Sequence, residues 1–154
     1  MWRGLMASVM VLVSSPVAAA VCAEDIIEIR QNGVQAQFNI ELAVTPAEQA
    51  QGLMYRESMP SFDGMLFVYP SPRAVTFWMK NTLIPLDMLF IDETGLVQRI
   101  KENATPQSTE TIPGGENIQY VLEINGGLSK MLGLSAGAEI RYIGFSQENA
   151  VWPC

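Results

Sequence analysis

Four segments place polar side chains beside or inside apolar runs. Arg56 and Glu57 follow a short helical stretch, Lys80 and Asn81 leave the run VTFWM, and Asp87 and Glu123 stand within LDMLFI and YVLEI. An unpaired charge buried in a strand costs several kcal/mol, so each of these carboxylates must face solvent, a pocket or a cation. Two arrangements satisfy that requirement. In the structural one, Asp87 pairs with Lys80 or Arg56 and fixes the loop 81–85. In the functional one, Arg56, Lys80 and Asn81 donate hydrogen bonds to an anionic or carbonyl group in a polar cleft, and Asp87 or Glu123 orients it. The functional arrangement predicts that Arg56, Lys80, Asn81, Asp87 and Glu123 converge in space. It describes a module that binds a small ligand or a partner through a cleft around Lys80, Asn81 and Asp87, without a cofactor.

The alternatives are limited by what is missing. The chain has no histidine, which removes Ser-His-Asp and Cys-His catalysis and imidazole metal ligation. A cofactor-free hydrolase or lyase would have to use Asp87 and Glu123 as an acid–base pair, which requires a raised pKa on one of them. Met54, Met59, Met65, Met79 and Met88 fall in one stretch, and thioethers are soft ligands for Cu(I). Met65, Met79 and Met88 lie in apolar runs, however, where methionine fills gaps in a core. Phe77 and Trp78 are adjacent. On a strand one of them faces the core, and together they offer at most half of a carbohydrate platform.

The stretches GLMYRESMP, GMLFVYP, FWMKNTLIPLDMLFID and VLEINGG resemble those of the domain of unknown function 192 family, over nearly all of the chain beyond its N-terminal segment. The resemblance implies a compact, mainly β domain, often in exported proteins. It implies no activity and assigns no catalytic residue.

Residues 26–30 (IIEIR), the dipeptide Asn32-Gly33 and residues 34–44 (VQAQFNIELAV) read as a β-hairpin, with Phe38, Ile40 and Leu42 at period two on its core face. Thr45-Pro46-Ala47-Glu48 is a capping box with proline at the first helical position, and that helix stops near residues 52–55. The runs at 65–69, 75–79, 86–91 and 96–100 are of strand length and bounded by Pro or Gly. Residues 103–117 are polar, contain Pro106, Pro113 and Gly114-Gly115, and predict an exposed loop. A strand at 118–124, a helical turn or two at 128–134 and a last strand at 139–145 follow. The pattern predicts a mainly β fold: a single compact antiparallel β-sandwich or barrel-like domain over 24–150, with one or two short helices, no βαβ unit and a tail at 151–154.

Compartment comes from the ends of the chain. Met1-Trp2-Arg3, the apolar run LMASVMVLV and the small-residue run SSPVAAA read as a secretory signal over residues 1–20, too short for the ~20 apolar residues of a membrane anchor. The chain carries nine Lys+Arg against sixteen Asp+Glu, a net charge of −7, and loss of Arg3 with the signal makes the mature chain more acidic still. That sign disfavours nucleic acid as a partner. The expected location is periplasmic or secreted, with no stable membrane anchor after cleavage. Cleavage after Ala20 keeps Cys22 and cleavage after Ala23 discards it. The first choice predicts a disulfide between Cys22 and Cys154, which an oxidising compartment permits.

Overall fold

Strands β1 (Ile26–Gln31) and β2 (Val34–Ala43) form the expected hairpin. Its turn needs positive φ at both central residues, which Asn32 (φ 50°) and Gly33 (φ 82°) supply. The computed structural model describes residues 22–154; the signal-like segment 1–20 lies outside the described residues. Thr45 caps helix α1 (Pro46–Gln51), its hydroxyl accepting from the Glu48 amide while the Glu48 carboxylate accepts from the Thr45 amide. The chain then enters β3 (Asp63–Phe77), which lies parallel to β2 and pairs Asn39 with Asp63 and Ala43 with Phe67. This corrects the all-antiparallel expectation. Parallel neighbours need a long crossover, and residues 44–62, with α1 in them, provide it.

The remaining strands are β4 (Leu86–Ile91), β5 (Val97–Ala104), β6 (Ile112–Asn125) and β7 (Glu139–Arg141), with helix α2 (Leu128–Met131) between the last two. They complete one seven-stranded sheet in the order β5-β4-β6-β3-β2-β1-β7. Its outermost strands meet: Leu96, at the edge of β5, bridges to Glu139 of β7, and the Val97 amide donates to the Ala138 carbonyl while the Val97 carbonyl accepts from the Gly137 amide. The sheet is therefore curled into a barrel-like form.

Two differences from the expected strand limits share one cause. Pro70, which bounds the expected run 65–69, and Pro113 and Gly114-Gly115, which belong to the expected exposed loop, lie inside β3 and β6, as does Pro72. The β3–β6 register shifts between Val68 and Arg73, again before Val75 and again before Thr76. Irregular pairing of this kind tolerates residues that a regular ladder excludes. The exposed loop is correspondingly reduced to residues 105–111. The last strand is shorter than expected and ends at Arg141.

Each face of the sheet carries its own core. The concave face gathers Ile29, Phe38, Leu66, Leu89, Leu122 and Ile140, from strands at both ends of the sheet. The convex face carries Met65, Phe67, Met88, Phe90 and Val121, covered by Leu53 and Met79 from the segments that cross it. Met65, Met79 and Met88 are thus core residues, and Phe77 is half-buried while Trp78 is exposed.

The C-terminal tail is docked. Trp152 is buried, with the Arg30 and Arg141 guanidinium groups 4.3 and 4.5 Å from its ring centroid. Arg141 is in turn ion-paired to the buried Glu28. Cys22 and Cys154 form a disulfide, with Cα atoms 6.0 Å apart.

Candidate functional site

Asp87 and Glu123 point to opposite faces of the sheet. Met88 is the direct neighbour of Glu123 across β4 and β6, and Asp87 is the neighbour of Ile124. Side chains alternate along a strand, so Glu123 shares the convex face with Met88 and Asp87 shares the concave face with Ile124. An acid–base pair built from these two carboxylates is excluded by this register.

Asp87 is 0% exposed and forms no ion pair among the described residues. Its Oδ1 accepts from the backbone N–H of Asn103 (2.7 Å) and Gly127 (2.9 Å), and its Oδ2 from that of Ser129 (2.7 Å). Three charge-assisted bonds replace the ion pair to Lys80 or Arg56 that the sequence suggested. The effect is to tie the end of β5 and the start of α2 to β4. The segments it holds are thus those at Asn103 and at residues 127–129, not the loop 81–85.

Arg56 also turns away. Both of its terminal nitrogens bond the Glu41 carboxylate of β2, an ion pair that holds Arg56 above and Glu41 below their ordinary pKa values. It anchors the crossover to the sheet and does not line the cleft.

Lys80 and Glu123 do come together. They share a cleft of about 110 Å3 on the convex face, between α1 and the turn after β3, with Leu53, Phe67, Tyr69, Thr76, Phe77 and Trp78 among the lining residues. Glu123 forms the floor. It is 4% exposed, flanked in register by Met65 and Met88, and its carboxyl has no hydrogen-bond partner among the described residues. Burial alone pushes its pKa up to about 8, so near neutral pH it is mostly the neutral acid, able to donate as well as accept.

The turn carrying Lys80 is clamped from two sides. The Asn81 carbonyl accepts from the Tyr55 amide at 2.9 Å, and the Thr82 carbonyl accepts from the Gln107 amide at 3.0 Å. Asn81 adopts the left-handed conformation (φ 56°), which asparagine tolerates better than most residues, and its Nδ2 lies 3.9 Å from Met54 Sδ. It positions the rim and is not among the residues lining the cleft. Lys80 Nζ sits 5.1 Å from the centroid of the Trp78 ring and has no carboxylate partner among the described residues.

Tyr69 was missed at the level of sequence. Alternation along MLFVY puts Met65, Phe67 and Tyr69 on one face, and the β3–β6 register makes that the face of Glu123. Its hydroxyl is shifted up by burial and, less strongly, by Glu123, with Arg73 opposing. Recognising Tyr69 required the pairing of β3 with β6, which no local pattern supplies.

Residues 27–142 match the model of the DUF192 family, described as an uncharacterized ACR. A solved structure from Sinorhizobium meliloti 1021, described as a candidate transcription regulator, is 42% identical, with a TM-score of 0.74 over 79% of this chain and 95% of that one. A protein of unknown function from Novosphingobium aromaticivorans DSM 12444 is 37% identical, with a TM-score of 0.72 over 83% of this chain and 93% of that one. Among curated proteins none matches.

Proposed function

We propose that this chain, which belongs to the DUF192 family, is an exported small-ligand-binding module whose ligand enters the cleft between Glu123 and Lys80. The observation that carries the reading is Glu123 itself: a buried carboxyl without a hydrogen-bond partner among the described residues, opening onto a cleft that also holds Lys80. A polar group left unsatisfied costs about 1 to 3 kcal/mol. A ligand that bonds it recovers that cost. Export is supported by the signal-like segment and by the Cys22–Cys154 bond. No helix among the described residues is long and apolar enough to cross a membrane.

Binding is favoured over hydrolase or lyase chemistry because the second carboxylate that such chemistry was assigned lies on the other face. The regulatory description of the Sinorhizobium relative gains no support from a net charge of −7.

The test is a thermal-shift screen of the mature protein with small acids, amides, amines and sugars. At least one class should raise the midpoint, since a ligand that binds only the folded state must do so. The rise should disappear in Trp78→Ala and Lys80→Met. A panel that moves neither the midpoint nor the amide NMR signals of residues 76–82 would reject the reading.

A further inference from the structure

We infer that the ligand is a small organic carboxylate with a single apolar ring, its carboxylate met by Lys80, Tyr69 and Glu123 and its ring held against Phe67, Phe77 and Trp78. The inference deepens the ligand-binding reading above and rests on it.

Three of the side chains that line the cleft, Lys80, Tyr69 and Glu123, can donate a hydrogen bond into it. Among the described residues Lys80 has no ion-pair partner and the Tyr69 hydroxyl has no hydrogen bond. Glu123 presents an acid O–H while it keeps its proton. Lys80 can only donate, and with Tyr69 and Glu123 also able to donate, the cleft suits a ligand that accepts several hydrogen bonds, preferably a negative one. Arg73, 5.4 Å from the Tyr69 ring centroid, adds positive charge behind that wall. In a chain of net charge −7, two cations beside one cleft without carboxylate partners are a local reversal of sign.

The body of the ligand is set by the rest of the lining. Leu53, Phe67, Phe77 and Trp78 are apolar or aromatic, which disfavours phosphate and other compact inorganic anions that bring no apolar surface. At roughly 10–15 Å3 for each water-sized position, a cleft of about 110 Å3 holds roughly seven to eleven non-hydrogen atoms. A one-ring carboxylate falls in that range.

The groups that could confuse a pH test are few. The residues of α1 that line the cleft, Gln49, Ala50 and Gln51, do not titrate. The strand neighbours of Glu123 are Met65 and Met88. The titratable side chains of the lining are Tyr69, Lys80 and Glu123 itself.

The experiment is a titration of the mature protein with benzoate, benzamide, benzylamine and inorganic phosphate, followed by amide NMR and calorimetry at pH 6.5 and 9.5. Benzoate should bind at pH 6.5 and shift residues 76–82 and α1. Its affinity should fall about tenfold or more at pH 9.5, where Glu123 has lost the proton it donates. In Glu123→Gln, which keeps an N–H donor, binding should survive with a flattened pH profile. In Lys80→Met, an exposed substitution that leaves the fold intact, benzoate should bind about tenfold more weakly at pH 6.5. Tighter binding of benzylamine, or phosphate equal to benzoate, would overturn the carboxylate assignment. If benzoate is silent while another probe moves the same amides, the ligand class fails and the cleft stands; silence across all four and across the broader screen removes both.

Discussion

Glu123 keeps its proton because burial between two methionines, on a strand inside the sheet, penalises its charged form. The consequence for stability has a definite sign. Its folded pKa of about 8 lies above the ordinary value of 4.5, so the folded state holds a proton that the unfolded state has released. Stability is fully present below about pH 4.5 and is lost as pH rises to about 8. Urea denaturation should show the natural chain losing a few kcal/mol across that window, while Glu123→Gln stays level and overtakes it at pH 9. A variant that tracks the natural chain at every pH would contradict the assignment. The other buried carboxylate behaves differently. Asp87→Ala strands three backbone N–H groups and should cost about 2 to 4 kcal/mol. Asp92→Ala should cost less, although Asp92 is more than a surface charge: it accepts from the amides of Thr94 and Leu96 and from the Thr94 and Gln98 side chains. Equal denaturation midpoints for the two alanine variants would refute the ranking.

At the level of elements, what was legible in the sequence was what local chemistry decides. Asn32-Gly33 specified the hairpin turn, and Thr45, Pro46 and Glu48 specified α1, because each acts on its own backbone neighbours. Alternation placed a carboxylate inside each of β4 and β6, but which face each points to follows from the pairing of Met88 with Glu123, a register set over more than thirty residues of chain. For that reason the sequence could group five polar residues but could not show that Lys80 and Glu123 share a cleft which Asp87 and Arg56 do not line. Tertiary pairing also overrode the breakers in β3 and β6. Gly114 is the clearest case: a Cβ there would stand 2.3 Å from the Phe90 ring and 2.5 Å from Val75 Cγ2. The glycine read as a loop residue is instead what lets β6 lie close over the convex core. Gly114→Ala should lower stability by about 1 to 3 kcal/mol through overpacking, and pairing it with Phe90→Leu should restore part of the loss. No recovery in the double variant would place the clash elsewhere.

For the molecule as a whole, the Cys22–Cys154 bond closes a loop with a sequence separation of 132. A loop of that length restricts the unfolded chain by an amount worth about 4 to 5 kcal/mol in the entropy model. Chemical denaturation with and without reductant, and of the Cys22→Ser/Cys154→Ser variant, should show a loss of that order; unchanged midpoints would mean that Trp152, gripped between Arg30 and Arg141, holds the tail unaided. Because the bond joins residues near both ends of the folded domain, residues 22–154 already form a covalent ring, and where that ring is opened is a matter of synthesis more than of architecture. Joining 154 to 22 through a short linker, across Cα atoms only 6.0 Å apart, and opening the chain at the exposed Asn32-Gly33 tip would give a circular permutant in the order β2 to β7, then β1. In that order β1 would follow directly after β7, its antiparallel neighbour, and a contact now made between opposite ends of the chain would become a local one.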